Sequence, residues 1–188
     1  DKALWYFDLD PGQPEYSSPE CISLNELHGG SKVRGSHLGQ PFFETLQEYY
    51  IGSNSPQDVP GTYLEKIDNL VELLEVESYV GTSLLNLPGW IKGFGINVLN
   101  HVIQKYKPTH IVILETNTSK KHLEELIIPT QFSTTACLEY EPETFRIKAN
   151  FIKSEESRFN AAQLRTFKTL AYFHTTEKNK VDLKYDFT

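Results

Sequence analysis

The chain has no initiator methionine, and its 188 residues include only two cysteines, Cys21 and Cys137, far apart in sequence. Two such thiols cannot form a zinc site by themselves, and their scarcity favours free thiols in a reducing compartment over a disulfide scaffold. His28, His37, His101, His110, His122 and His174 show no tight metal-ligand spacing, so histidine offers no zinc site either. No run approaches the roughly 18 consecutive apolar residues of a membrane span, and no positively charged start leads into an apolar targeting segment. Net positive charge is also missing: the formal charge of −7 argues against a surface that is wholly a nucleic-acid footprint, while leaving room for a local one. What remains, 39% hydrophobic and 23% charged, is the composition of a soluble globular protein long enough for one sizeable core.

The chain is organised around its beginning, Leu4-Trp5-Tyr6-Phe7-Asp8-Leu9-Asp10-Pro11-Gly12-Gln13. Four apolar or aromatic residues in a row read as a buried strand of a parallel sheet, which Pro11-Gly12 stops. Asp8 and Asp10 then stand where the strand emerges, and their spacing puts both side chains on one face if strand geometry persists. In open α/β sheets ligands bind at that carboxyl edge, where an acid can hold Mg²⁺ or take a proton from a hydroxyl. The plain alternative is an ordinary acidic turn. Gln13, held by a glycine turn, is suited to orienting a metal-bound water or a phosphate.

Further along, Cys21 to Leu24 reads as a short strand, and 28–40 as a change to Gly, Ser, Lys, Arg and His. Phe42 to Tyr50 fits a helix or a strand. Thr62 to Glu77 is the clearest helix, with a Thr62/Glu65 capping box and an apolar stripe of Leu64, Ile67, Leu70, Val71 and Leu74. Ser83 to Leu87 reads as a second buried strand, ended by Pro88-Gly89. Ile96 to Tyr106 is an amphipathic helix closed by Pro108, and His110 to Glu115 a third strand. Strand, helix and strand at this spacing predict a right-handed βαβ crossover. Glu115 and Asn117 reach the same edge as candidate nucleotide-pocket residues. His122 to Ile128 suggests a short helix and Thr144 to Ile152 a strand. Arg146, Lys148, Lys153, Arg158, Arg165 and Lys168 form a basic strip against Glu155 and Glu156. Asn160 and Gln163 offer the cap of a helix bearing Leu164, Phe167, Leu170, Ala171 and Phe173. Val181 to Phe187 alternates loosely, as an edge strand does.

Asp8-Leu9-Asp10-Pro11-Gly12-Gln13-Pro14-Glu15 resembles the Walker B segment of the eukaryotic polynucleotide 5′-hydroxyl kinases, in particular their nucleolar, ribosomal-RNA-processing branch. Further stretches agree in order: Gly52-Ser53-Asn54-Ser55-Pro56 with Tyr63-Leu64, Asn86 through Gly93, and Leu164-Arg165-Thr166 through Ala171-Tyr172-Phe173-His174. The resemblance implies an α/β fold with a P-loop NTPase-like parallel sheet flanked by helices, incomplete in this chain. It implies ATP and Mg²⁺ as cofactors, with Asp8 and Asp10 as metal ligands and general-base candidates and Gln13 setting water or phosphate geometry. Trp90 would stack on the terminal base and Lys92 would meet the backbone, although a tryptophan here also fits a core role. The family clasp usually has threonine where this chain has Leu87, so no hydroxyl contact is carried over. Arg158 would be the lid arginine, its planar fork suited to a moving phosphoryl group. Arg165, seven residues on, would be the second catalytic arginine of the lid or else a structural residue, since the family's paired arginines are often closer together.

Such kinases carry G-x-x-x-x-G-K-[ST] before Walker B. That pattern does not occur in the sequence, and Gly29-Gly30-Ser31-Lys32 has the wrong spacing. The expectation is therefore a partial chain starting at Walker B, with the phosphate-binding loop and N-terminal half missing or supplied as another chain. Residues 1–174 would be the C-terminal portion of the kinase domain, including clasp and lid. Residues 175–188 would begin a following domain or an edge strand. The implied substrate is RNA with a 5′-hydroxyl end, the implied partner a ribosomal-RNA-processing endonuclease, and the implied location the nucleus and nucleolus, with no membrane role. A catalytically silent RNA-binding or scaffold module is the alternative. A GTPase-like switch would also keep an acidic strand end, but it gives no reason for Trp90-Ile91-Lys92 beside a basic strip.

Overall fold

The computed structural model describes residues 3–28, 43–77, 79–91, 93–115, 142–148 and 159–174. Two compact units divide the chain, one of residues 1–88 with 159–188 and the other of residues 89–158.

The first unit is built on a mixed sheet. Its strands are β1 (Leu4–Asp8), β2 (Cys21–Leu27), β3 (Phe43–Tyr50) and β4 (Thr82–Asn86), in the order β3-β2-β1-β4. β1 pairs parallel with β4, with Asp8 opposite Asn86, but antiparallel with β2, and β2 pairs antiparallel with β3. The all-parallel sheet expected from the sequence is thereby corrected. Trp5 and Phe7 of β1 are buried and Leu4 and Tyr6 half-buried, a pattern that a central strand can show whichever way its neighbours run. In the segment left open between helix and strand, Phe43–Tyr50 form a strand, β3, outermost with β4 among the described strands of this sheet.

β2 is buried from Cys21 to Asn25, including the polar Ser23 and Asn25. Those two satisfy each other: the Asn25 amide donates to Ser23 Oγ at 2.8 Å, and Thr45 Oγ1 donates to Asn25 Oδ1 at 3.0 Å. Buried polar groups are tolerated on these terms. Cys21 lies in the same interior. Burial, with help from Glu48 and Glu20, pushes its thiol up to about 12. Because the thiolate is the reactive form, Cys21 in the folded protein should alkylate at pH 8 about 100-fold more slowly than a peptide thiol, or slower still. Mass spectrometry separates it from Cys137; alkylation at the peptide rate would contradict this burial.

Helix α1 (Pro60–Val76) packs on β2. It starts two residues before the predicted Thr62, with proline in its first turn, where a missing N–H costs nothing. Val59 is its N-cap and no side chain caps it, so the Thr62/Glu65 box is not formed. Tyr63, Ile67, Leu70 and Val71 are the helix's buried residues at helical spacing, while Leu64 and Leu74 of the predicted stripe are half-buried at its margin. Glu65, Glu72, Glu75 and Glu77 remain exposed, and Lys66 pairs with Glu65 at 2.8 Å. The last described element of this unit is the helix Ala161–His174. Its predicted cap is present as a reciprocal pair: the Asn160 side chain accepts from Gln163 N–H and the Gln163 side chain from Asn160 N–H, each at 2.9 Å.

The second unit contains α2 (Phe94–Tyr106), β5 (His110–Glu115) and β6 (Glu143–Lys148); the helix Ala161–His174 is therefore α3. Lys107 takes the left-handed conformation just before Pro108 and closes α2. The described partner of β5 is β6, parallel to it in a two-stranded sheet, so the predicted β4-α2-β5 crossover is not among the described pairings. The helix predicted at His122 to Ile128 and the strand at Val181 to Phe187 lie outside the described residues. Among the described residues no helix is long and apolar enough to cross a membrane.

Candidate functional site

β1 ends at Asp8, and the chain then turns sharply. Leu9 is still tied to the sheet, its N–H donating to the Asn86 carbonyl at 2.9 Å and its own carbonyl accepting from the Tyr63 hydroxyl at 2.7 Å. Strand alternation stops there, so the two acids differ in role. Asp8 is fully buried. Its Oδ2 accepts the N–H groups of Glu15 and Tyr16 at 2.6 and 2.8 Å, and its Oδ1 receives the longer contact from the Asn86 amide at 3.4 Å. Asp10 sits in the turn itself, with Oδ1 accepting from Gly12 N–H at 3.0 Å and Gln13 N–H at 3.2 Å. That is an Asx-type turn, the plain structural role considered for this motif. Gln13 is exposed.

Gly12 is required by close approach. A Cβ there would stand 2.6 Å from the carbonyl oxygen of Asn54, within the Gly52-to-Pro56 stretch that follows β3. On its other side the turn meets α3. Arg165 Nη1 donates to the Gly12 carbonyl at 3.2 Å, and Lys168 Nζ donates to the carbonyls of Pro14 and, at 2.9 Å, of Glu15. Arg165, Lys168 and the acidic turn are thus brought together. Lys168 was visible in sequence only as one member of the basic strip; the signal that singles it out is its position one helical turn after Arg165.

The electrostatics follow from burial. Desolvation raises the Asp8 carboxyl above its ordinary value, opposed by the N–H of Tyr16, the Asn86 amide, the N–H of Glu15 and the charge of Lys168. Burial lowers Lys168 against the pull of Glu15 and Asp8. Tyr6, below Asp8 on the strand, is raised by burial and by that neighbouring acid. An acid with a raised pKa at a strand edge can accept a proton from a bound hydroxyl, and two carboxylates can share a hard cation with substrate oxygens. No cluster of three or more His, Cys, Asp or Glu suited to a metal occurs among the described residues.

The remaining sequence candidates fall in the second unit or outside the described residues. Trp90 is half-buried, with its ring 6.1 Å from that of Phe94 at the start of α2. A Cβ at Gly95 would collide with the Trp90 carbonyl and indole. Lys92, Asn117 and Arg158 lie outside the described residues, and Glu115 is described only through its backbone at the end of β5.

Residues 1–175 match the family described as mRNA cleavage and polyadenylation factor CLP1 P-loop. The chain belongs to the CLP1 P-loop family. This corrects the expectation of a chain that begins after its nucleotide-binding half: the P-loop family match itself runs through residues 1–175. The acidic turn, α1 and α3 all lie within it. The chain is 56% identical over 173 residues to the polynucleotide 5′-hydroxyl-kinase GRC3 of Saccharomyces cerevisiae, a match covering 91% of this chain and 27% of that protein. It is 44% identical over 183 residues to the GRC3 kinase of Candida glabrata, covering 95% of this chain and 29% of the relative. The chain thus spans under a third of the length of these curated relatives. Among solved structures, a Clp1p–Pcf11p complex superposes with a TM-score of 0.64 at 15% identity, over 96% of this chain and 44% of that one. This places the mixed sheet in an α/β fold of the CLP1 type.

Proposed function

We propose that this chain belongs to an ATP-dependent polynucleotide 5′-hydroxyl kinase that acts on RNA in ribosomal RNA processing and that it carries the acidic edge of the site. The observation that carries the reading is the fully buried Asp8 at the carboxyl end of β1, in a chain 56% identical to a relative named for this activity. In the reaction the RNA 5′-hydroxyl oxygen attacks the γ-phosphorus of ATP. The bond to the β-phosphate oxygen breaks, ADP leaves, and the hydroxyl proton passes to a carboxylate. The base role is assigned to Asp8 or Asp10, the two acids at the carboxyl end of β1, with Asp8 the one in line with the strand. Asp10 holds the turn that presents it. Mg²⁺, which commonly takes one or two carboxylates together with phosphate oxygens, would be held at Asp8 and Asp10 through bound water, and it would offset charge on the phosphates. Gln13, exposed on the turn, would orient water or phosphate, and Arg158 would stabilise charge on the moving group. Arg165 acts on the turn through the Gly12 carbonyl. Glu115 and Asn117 are carried as nucleotide-pocket residues. A nucleolar location and a ribosomal-RNA endonuclease as partner belong to the same proposal and rest on the family likeness.

On the substrate side the reading places Trp90 against the terminal base, with Lys92 on the backbone. In the complete protein, Trp90→Ala should weaken binding of a short 5′-hydroxyl RNA by about 1 to 3 kcal/mol and leave ATP affinity unchanged, with partial recovery in Trp90→Phe. Titration with each ligand, paired with denaturant unfolding, checks this. A core tryptophan would instead cost about 3 to 5 kcal/mol of stability and lower both affinities together, which would remove Trp90 from the site.

A further inference from the structure

Lys168 reaches Asp8 by a route that neither motif nor family match assigns. Its ammonium donates to the carbonyls of Pro14 and Glu15, two successive residues. The N–H groups that follow those carbonyls across the peptide bond belong to Glu15 and Tyr16, and both donate to Asp8 Oδ2. A trans peptide is planar, with its C=O and N–H directed oppositely. Each of the two peptide groups is therefore held at both ends, its oxygen on the Lys168 ammonium and its N–H on the Asp8 carboxylate. A cation at the carbonyl end polarises the amide and makes it a stronger donor. Arg165, one turn earlier on α3, holds the Gly12 carbonyl, two residues before that of Pro14.

We propose that Lys168 is a positioning residue that fixes the orientation of the Asp8 carboxylate through the Pro14–Glu15 and Glu15–Tyr16 peptide groups. The proposal deepens the kinase reading and rests on it for its catalytic consequence. Lys168 touches neither hydroxyl nor phosphate in this scheme. Its half-buried place on α3 makes the helix and the acidic turn one assembly, so a change in the helix is felt as a change in the aim of Asp8.

The test compares Lys168→Met and Lys168→Arg with wild type in the complete protein by two readouts. Amide hydrogen exchange should show Glu15 and Tyr16 exchanging about tenfold faster in Lys168→Met, while amides of β2 keep their protection. Kinetics with 5′-hydroxyl RNA should show kcat lowered about 10- to 100-fold with KM for RNA and ATP unchanged, as expected when a reacting group is misaimed. Lys168→Arg, which keeps the charge and the donors, should restore both readouts in large part. Unchanged exchange at Glu15 and Tyr16 would overturn the proposal. Faster exchange with normal kcat would also overturn it and leave Lys168 a structural tie. Loss of protection in β2 as well, shared by the arginine variant, would show a general fold role and overturn it too. A wild-type protein without transfer activity would instead remove the kinase reading, and exchange alone would then decide whether Lys168 holds the donors to Asp8.

Discussion

Asp8→Asn in the complete protein should transfer phosphate about 10² to 10⁴ times more slowly than wild type, and yet be no less stable at pH 7. The two halves of this expectation have one cause. Burial raises the Asp8 carboxyl above its ordinary value, so the folded state prefers it protonated. Between the unfolded and folded pKa values the folded protein binds the extra proton, and stability therefore falls as pH rises through that window. Above it, the buried charge is a standing cost. An amide has nearly the same shape, can still accept the N–H groups of Glu15 and Tyr16, and carries no charge, but it cannot take a proton from a hydroxyl. The stability of Asp8→Asn relative to wild type should thus increase from acid pH to neutrality. Urea unfolding of both proteins across that range checks the sign; an amide variant that loses stability relative to wild type as pH rises would show that Asp8 is an acid held ionised by its donors.

Tyr63→Ala should cost about 3 to 5 kcal/mol, a large share of the stability of an ordinary domain. Tyr63 is fully buried on α1, beneath the start of the acidic turn, and its hydroxyl holds the Leu9 carbonyl at 2.7 Å. Removing the ring leaves a cavity between helix and sheet and strands that carbonyl in the interior. Tyr63→Phe keeps the packing and loses only the hydrogen bond, so its cost should be about 1 to 3 kcal/mol. Urea unfolding separates the two. A loss below about 1 kcal/mol in Tyr63→Ala would mean that this part of the core does not hold the turn.

Much of the site was legible because it is local. The Leu4-to-Phe7 run and Pro11-Gly12 mark a strand and its stop, and Asp8 falls at the boundary. The Asn160/Gln163 cap was legible for the same reason, since its partners are three residues apart. What sequence periodicity could not supply was strand direction. Trp5 and Phe7 are buried in a central strand whichever way β2 and β4 run, and a parallel sheet was inferred where β2 is antiparallel. The difference between Asp8 and Asp10 was hidden as well. It depends on where alternation stops, and Leu9, buried just after the strand, gives no warning that Asp10 belongs to a turn. Tyr63 was left out of the stripe because its neighbour Leu64 lies three residues before Ile67, also at helical spacing, and is the more apolar of the two, so the pattern was phased on leucine. Lys168 acts across 153 residues on the Glu15 carbonyl, a separation that no spacing rule spans.

Kinase activity is tested most directly by transfer of labelled γ-phosphate from ATP by the complete protein, with Mg²⁺, to a short RNA bearing a 5′-hydroxyl. The same RNA already carrying a 5′-phosphate serves as the control acceptor. Label should appear on the 5′ end of the hydroxyl RNA, removable by phosphatase, with none on the control and a sharp loss in Asp8→Asn. Label released only as inorganic phosphate, or equal transfer by wild type and Asp8→Asn, would contradict this expectation.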